Sequence, residues 1–198
     1  MKKLFVIALA LLCSLALAQT TAPTHRLRGT VKSFDGSTLV LTERSGETHT
    51  LALADTFSIS EVVPIEPSAI RVGSFIGTAA IPGEDGVLSA LEVLVFPEAA
   101  RGTGEGHSAW DLQPGSTMTN ATVAELVATP KGRSMKLRYK DGEKTVVVPE
   151  NTPIVTFKPG DRTLLVPGAK VLVTAQVRDG KPTALRATAG RDGFVPPM

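Results

Sequence analysis

Glu105, His107, Trp110 and Asp111 stand close together in a glycine-rich stretch, and their side chains support two different chemistries. Carboxylate oxygens and an imidazole nitrogen are ligands for a divalent metal ion, and a histidine and an aspartate four positions apart share a face on a helix. Gly102, Gly104 and Gly106 argue against that helix. The alternative is mechanical: Trp110, the only tryptophan, plugs an apolar notch between two flanking domains while Asp111 brackets the turn toward Pro114-Gly115. The plug is favoured, because a tryptophan left on a free tether would expose roughly 150–250 Å² to water.

A second set of residues is cationic. Lys136, Arg138 and Lys140 alternate with Met135, Leu137 and Tyr139, which in a strand puts the cations on one face and the apolar side chains on the other. Lys131, Arg133 and Lys144 flank them, so the six residues are candidates for an anion-binding surface; the plainer reading is the solvated outer face of a half-buried sheet. Single-stranded nucleic acid wants aromatic stacking platforms beside such cations, and they are scarce here, so no nucleic acid is expected.

Signatures of catalysis are missing. There is no Gly-x-Ser-x-Gly elbow, no glycine-rich phosphate loop opening a helix, no His-Glu-x-x-His and no Cys-x-x-Cys. The three histidines, His25, His49 and His107, fall in separate segments. The chain is expected not to be an enzyme, to have no catalytic residues and to need no cofactor.

These residues must be positioned by short strands. Met1-Lys2-Lys3, the uncharged apolar run Leu4 to Leu15 and Ala16-Leu17-Ala18 form a secretory signal peptide over 1–18, cleaved near Ala18, which places the protein in the periplasm or outside the cell with no transmembrane anchor after processing. Cleavage removes Lys2 and Lys3 from the 21 basic residues and none of the 19 acidic ones, leaving 19 of each and a net charge of zero. It also removes Cys13, the only cysteine, so no disulfide can form. The charge is unevenly spread: 25–98 holds five basic and ten acidic residues, and 99–198 holds fourteen and nine.

The two halves read alike. Gly36 to Thr56 lies without gaps on Gly132 to Thr152, pairing Leu39 with Met135 and Leu41 with Leu137, and Gly73 and Gly86 find counterparts at Gly168 and Gly180. Solenoid repeats are far shorter, about 20–50 residues, so this is a domain duplication. Each copy offers about five strands with glycine turns, a proline-bearing excursion after the third strand and no amphipathic helical period. The expected fold is all-β: two tandem small five-stranded barrels, OB-like, over 25–98 and 119–190, joined by a Gly-rich linker over 99–118 and followed by a flexible tail over 191–198. An immunoglobulin-like sandwich is the runner-up; it wants about seven strands and usually a core tryptophan, which neither copy has.

Gly29-Thr-Val, the Leu-Val-Leu run ending at Thr42, Gly46, Asp55-Thr56 and Gly73, with the linker string Gly106 to Asn120, resemble a family of small exported bacterial proteins of unknown function with tandem OB-like domains. Members are sometimes labelled metal ABC transporter permeases, a label that one removable apolar segment does not support. The resemblance implies a fold and a compartment and transfers no catalytic residues. The resulting expectation is a non-catalytic periplasmic binding or adaptor protein whose partner is an envelope protein or an anionic envelope component. The alternative is a periplasmic metal-binding protein using the His107 segment, with Glu105, His107 and Asp111 as ligands.

Overall fold

Alternating apolar residues and glycine turns produce twelve strands among the described residues. The computed structural model describes residues 23–130 and 132–196, so the signal segment and Lys131 lie outside the described residues. The first repeat supplies β1 (Thr24–Phe34), β2 (Thr38–Glu43), β3 (Thr48–Pro64), β4 (Phe75–Pro82) and β5 (Leu88–Val95). The linker supplies β6 (Gly106–Ala109). The second repeat supplies β7 (Thr117–Thr129), β8 (Gly132–Tyr139), β9 (Gly142–Pro149), β10 (Ile154–Pro159), β11 (Lys170–Arg178) and β12 (Lys181–Gly190). The only helical pieces among the described residues are short 3₁₀ turns, and no helix there is long and apolar enough to cross a membrane.

The strands close into a five-stranded barrel whose members come from both repeats. β1 pairs β2, β2 pairs β3, β3 runs parallel to β12, β12 pairs β11, and β11 returns to β1. Five of the remaining strands form a second cycle, β7-β8-β9-β5-β4-β7, in which the parallel β9–β5 contact is confined to Val146 opposite Leu88 and Val147 opposite Ser89, while β6 adds to β7 and β10 lies between β3 and β5. The repeats are therefore interleaved. Each cycle takes its first three strands from one repeat and its last two from the other, whereas consecutive barrels over 25–98 and 119–190 were expected.

The reason lies in β3. Pro64 and Pro67 had marked the region after Leu53 as loop, but Phe57, Ile59, Val62 and Val63 favour extended backbone and the strand runs 17 residues. At about 3.3 Å per residue such a strand reaches up to about 55 Å, far beyond one small barrel. Its second half pairs antiparallel with β10, Val62 opposite Phe157, and so delivers the chain after Pro64 into the other cycle.

Each cycle buries its own apolar set. Val31, Leu39, Leu41, Leu51 and Val173 pack in the first barrel, and Ile76, Val93, Val123, Leu137 and Val146 in the second cycle. Full burial of one such side chain contributes about 1.5–3 kcal/mol. Leu39 and Met135, matched in sequence, are both fully buried. The gap-free match slips after the following turn: Leu51 faces Leu39, but Val146, not Val147, faces Met135. The turn between β2 and β3 spans Arg44 to Glu47, while that between β8 and β9 holds only Lys140 and Asp141, and a one-residue slip exchanges the two faces of a strand.

A third cluster, Val62, Leu94 and Val155 with Phe96, Phe157 and Phe194, bridges the cycles. Phe194 belongs to the segment expected to be a flexible tail, which over 191–196 lies against β3. Arg191 donates to Glu61 at 3.1 and 3.3 Å, and the Phe194 carbonyl lies so close to Gly190 that a Cβ there would collide with it. Glu61 is buried and also meets Lys158 at 3.2 Å, and the Arg191 hydrogen bonds hold its carboxyl below the ordinary value.

Candidate functional site

The linker residues do not converge on a metal. Glu105 accepts from the Lys140 amide at 3.1 Å, His107 Nδ1 lies 2.8 Å from Thr119 Oγ1, and Asp111 accepts from the Arg28 guanidinium at 2.8 Å. Only His107 lies in β6, and Glu105 and Asp111 flank it. Pairing of Gly106–Ala109 with β7 alternates the side chains, so that His107 follows buried Thr119 toward the second cycle and stacks on Tyr139 at 6.5 Å. Burial, then the charge of Lys144, lowers the His107 pKa. Among the described residues, the one group of three metal-ligating side chains within reach of one another is Glu43, Glu47 and His49. There His49 bonds Glu43 at 3.1 Å and lies 3.9 Å from Glu47.

Trp110 stands at the junction, with cations against its ring and an apolar-lined cavity beside it. The Arg26 guanidinium lies 4.1 Å above its ring and that of Arg28 5.8 Å away. Asp111 completes the clamp: Arg28, itself buried, bonds one carboxylate oxygen and Arg26 stands 4.0 Å from the other. Burial opposes ionisation of Asp111, yet the Arg28 hydrogen bond and the two guanidinium charges outweigh it and hold its pKa below the ordinary value. Through β6, paired to β7, and Trp110-Asp111, bound to β1, the linker straps the two cycles together.

Five of the six candidate cations lie among the described residues, and they split by register. Met135 and Leu137 are fully buried, so Lys136 and Arg138 point outward as the alternation requires. Lys136 is paired with Glu125 at 3.1 Å, and Arg138 lies opposite Glu143. Arg133 and Lys144 are in register with buried Val148 and Leu137 and so fall on the other face, Arg133 donating to the Pro67 carbonyl. Lys140 sits in the turn after β8. Acids interleave the stripe, and it is not one continuous anion-binding surface.

The residues that do converge were missed. A cavity of about 500 Å³ lies where the outer faces of the two cycles meet, with β6 and Trp110 along one side and Phe96 and Phe157 among its apolar lining. Two rows of cross-strand neighbours form its walls. On the first barrel Arg26, Thr174 and Arg186 lie in register across β1, β11 and β12. On the second cycle Met118, Ala79 and Glu92 lie in register across β7, β4 and β5. The two rows occupy equivalent positions of the repeats, and each adjoins a register shift, after Thr174 and after Ala79. β-Bulges re-aim side chains. Here they stand Glu92 and Arg186 at matching places on opposite walls.

Glu92 is fully buried, and neither carboxylate oxygen has a hydrogen-bond partner among the described residues. Burial raises its pKa from 4.5 to about 8, against the opposing charge of Arg28, so the carboxyl is mostly protonated at neutral pH. Trp110 Nε1 and Asn120 Oδ1 line the same cavity and are likewise buried without partners. Buried polar groups are normally satisfied, and three left over around one cavity mark a place built to hold something. In the sequence the signal was Glu92 within Ala-Leu-Glu-Val-Leu-Val, an acid in an otherwise apolar strand, whose direction depends on a bulge that the sequence does not display.

No family model, curated protein or solved structure matches the chain.

Proposed function

We propose that the chain is a non-catalytic periplasmic binding or adaptor protein whose ligand occupies the cavity between the two strand cycles. The observation that carries this reading is Glu92, a carboxyl with no hydrogen-bond partner among the described residues, fully buried beside a space of about 500 Å³. Leaving a buried polar group unpaired costs about 1–3 kcal/mol, which a bound ligand that meets it would recover. The ring order, three consecutive strands closed by two more with the third and last parallel, supports an OB-like type for both cycles, and such barrels bind ligands on their outer sheet faces. In this reading the chain stands with the small exported bacterial proteins that its repeats and linker resemble, and it is exported by cleavage near Ala18.

Native mass spectrometry of the protein purified from the cell envelope tests the proposal. The expected spectrum shows a mature chain beginning at Gln19 with a small-molecule adduct that leaves on denaturation. Thr188→Phe, which fills the cavity from β12, is expected to abolish the adduct while the chain stays folded. An adduct that survives Thr188→Phe, or a chain that retains residues 1–18, would overturn the corresponding part.

A further inference from the structure

The cavity is electrostatically lopsided. On the first wall Arg26 stands 4.0 Å from the Asp111 carboxylate, which also accepts from Arg28 at 2.8 Å. Arg186 donates to Thr174 Oγ1 at 3.1 Å and makes no ion pair among the described residues. Arg26 and Arg186 flank Thr174 in one cross-strand row, two strands apart, hence about 10 Å between their Cα atoms. That separation lets two long guanidinium side chains close on one head group. The opposite wall offers Glu92 as its one ionisable group among the described residues, and its surroundings favour the uncharged acid, a hydrogen-bond donor. Between the walls the lining is apolar, with Leu94, Phe157 and Leu172.

Resting on the cavity reading, we propose that the ligand is an organic anion with an apolar body. Its acidic head sits between Arg26 and Arg186, and its body lies against Leu94, Phe157 and Leu172. An ammonium head is disfavoured. It would have to ionise Glu92 inside the apolar wall while facing the guanidinium groups of Arg26 and Arg186. A wholly neutral apolar molecule would fill the space but leave Arg186 unmatched. A head group of either carboxylate or phosphate chemistry satisfies the pair of guanidiniums.

Trp110 lines the cavity and is the only tryptophan, so its emission reports occupancy directly. The experiment titrates delipidated mature protein with decanoate, decyl phosphate, decanol and decylammonium at neutral pH, each below its micelle concentration, following Trp110 fluorescence and calorimetric heat. The expected result is saturable binding of decanoate, decyl phosphate or both, at least tenfold tighter than decanol, with no binding of decylammonium. Arg186→Ala is expected to weaken the anion at least tenfold without changing the thermal midpoint, since this side chain is exposed. The relative affinities of decanoate and decyl phosphate identify the head group. Decanol or decylammonium binding as tightly as the anions would overturn the anionic class and leave the cavity reading standing. Anion binding unchanged in Arg186→Ala would overturn the proposed seat, and no response to any of the four would remove the cavity reading for apolar ligands together with the proposal.

Discussion

Glu92 is the residue whose environment departs furthest from what its type would choose. Its folded pKa of about 8 lies above the ordinary value of 4.5, so between those values the folded chain holds a proton that the unfolded chain has lost. The contribution to stability is therefore fully present below about pH 4.5, is lost as pH rises toward 8, and levels off beyond. The expected outcome is that wild type loses stability relative to Glu92→Gln between pH 5 and pH 9, by at most roughly 5 kcal/mol, in urea denaturation at a series of pH values. A difference between the two proteins that stays constant over that range would mean that the carboxyl reaches water. The Asp111 clamp behaves in the opposite sense with salt. Asp111→Ala removes a charge-assisted bond to buried Arg28, but the carboxylate is half exposed, so a loss of about 1 kcal/mol is expected, shrinking as sodium chloride is added. A loss that salt leaves untouched would assign the effect to packing of the strap instead.

Strand register decides which residues share a face. Gly29 on β1 sits where β2 approaches most closely: a Cβ there would collide with the Thr42 carbonyl and lie 2.9 Å from Leu41 Cδ1. Gly29→Ala is therefore expected to destabilise the first barrel by about 1–3 kcal/mol, and amide exchange would show the opening concentrated in β1 and β2. Uniform loosening across both cycles would mean that the two cores unfold as one unit. Alternation was legible in β8, where Met135 and Leu137 are buried and Lys136 points out. It was not legible in β3, where proline at 64 suggested loop and the strand continues to it, because a proline at a strand's end forfeits little pairing.

At the scale of the whole molecule the interleaving of repeats has a direct consequence. Neither 19–104 nor 105–198 contains all five strands of a cycle, so each fragment expressed alone is expected to lack a cooperative unfolding transition. The two expressed together are expected to reassemble into a stoichiometric complex with the circular dichroism of the intact chain. Either fragment folding alone as a stable monomer would show that the repeats complete their own barrels. The uneven charge of the halves acquires a local meaning here: at equivalent bulges the acidic repeat places Glu92 and the basic repeat Arg186, on facing walls of one cavity.

Period-2 alternation, turn glycines and the near-match of two halves are local properties, and they were enough to read an all-β chain built by duplication. Trp110 and Asp111 were legible as residues that join its parts, since a lone tryptophan in a glycine-rich stretch needs a partner. What bound them was not. Arg26 and Arg28 are some eighty residues earlier in the chain, and nothing in the spacing of Glu105, His107 and Asp111 shows that each meets a different element, at Lys140, Thr119 and Arg28. Interleaving was equally hidden, because a strand makes the same side-chain contacts whether its neighbour comes from its own repeat or from the copy. Only the path of β3 past the first barrel settles which strands meet, and with it the cavity, since both its walls are made by strands from different repeats.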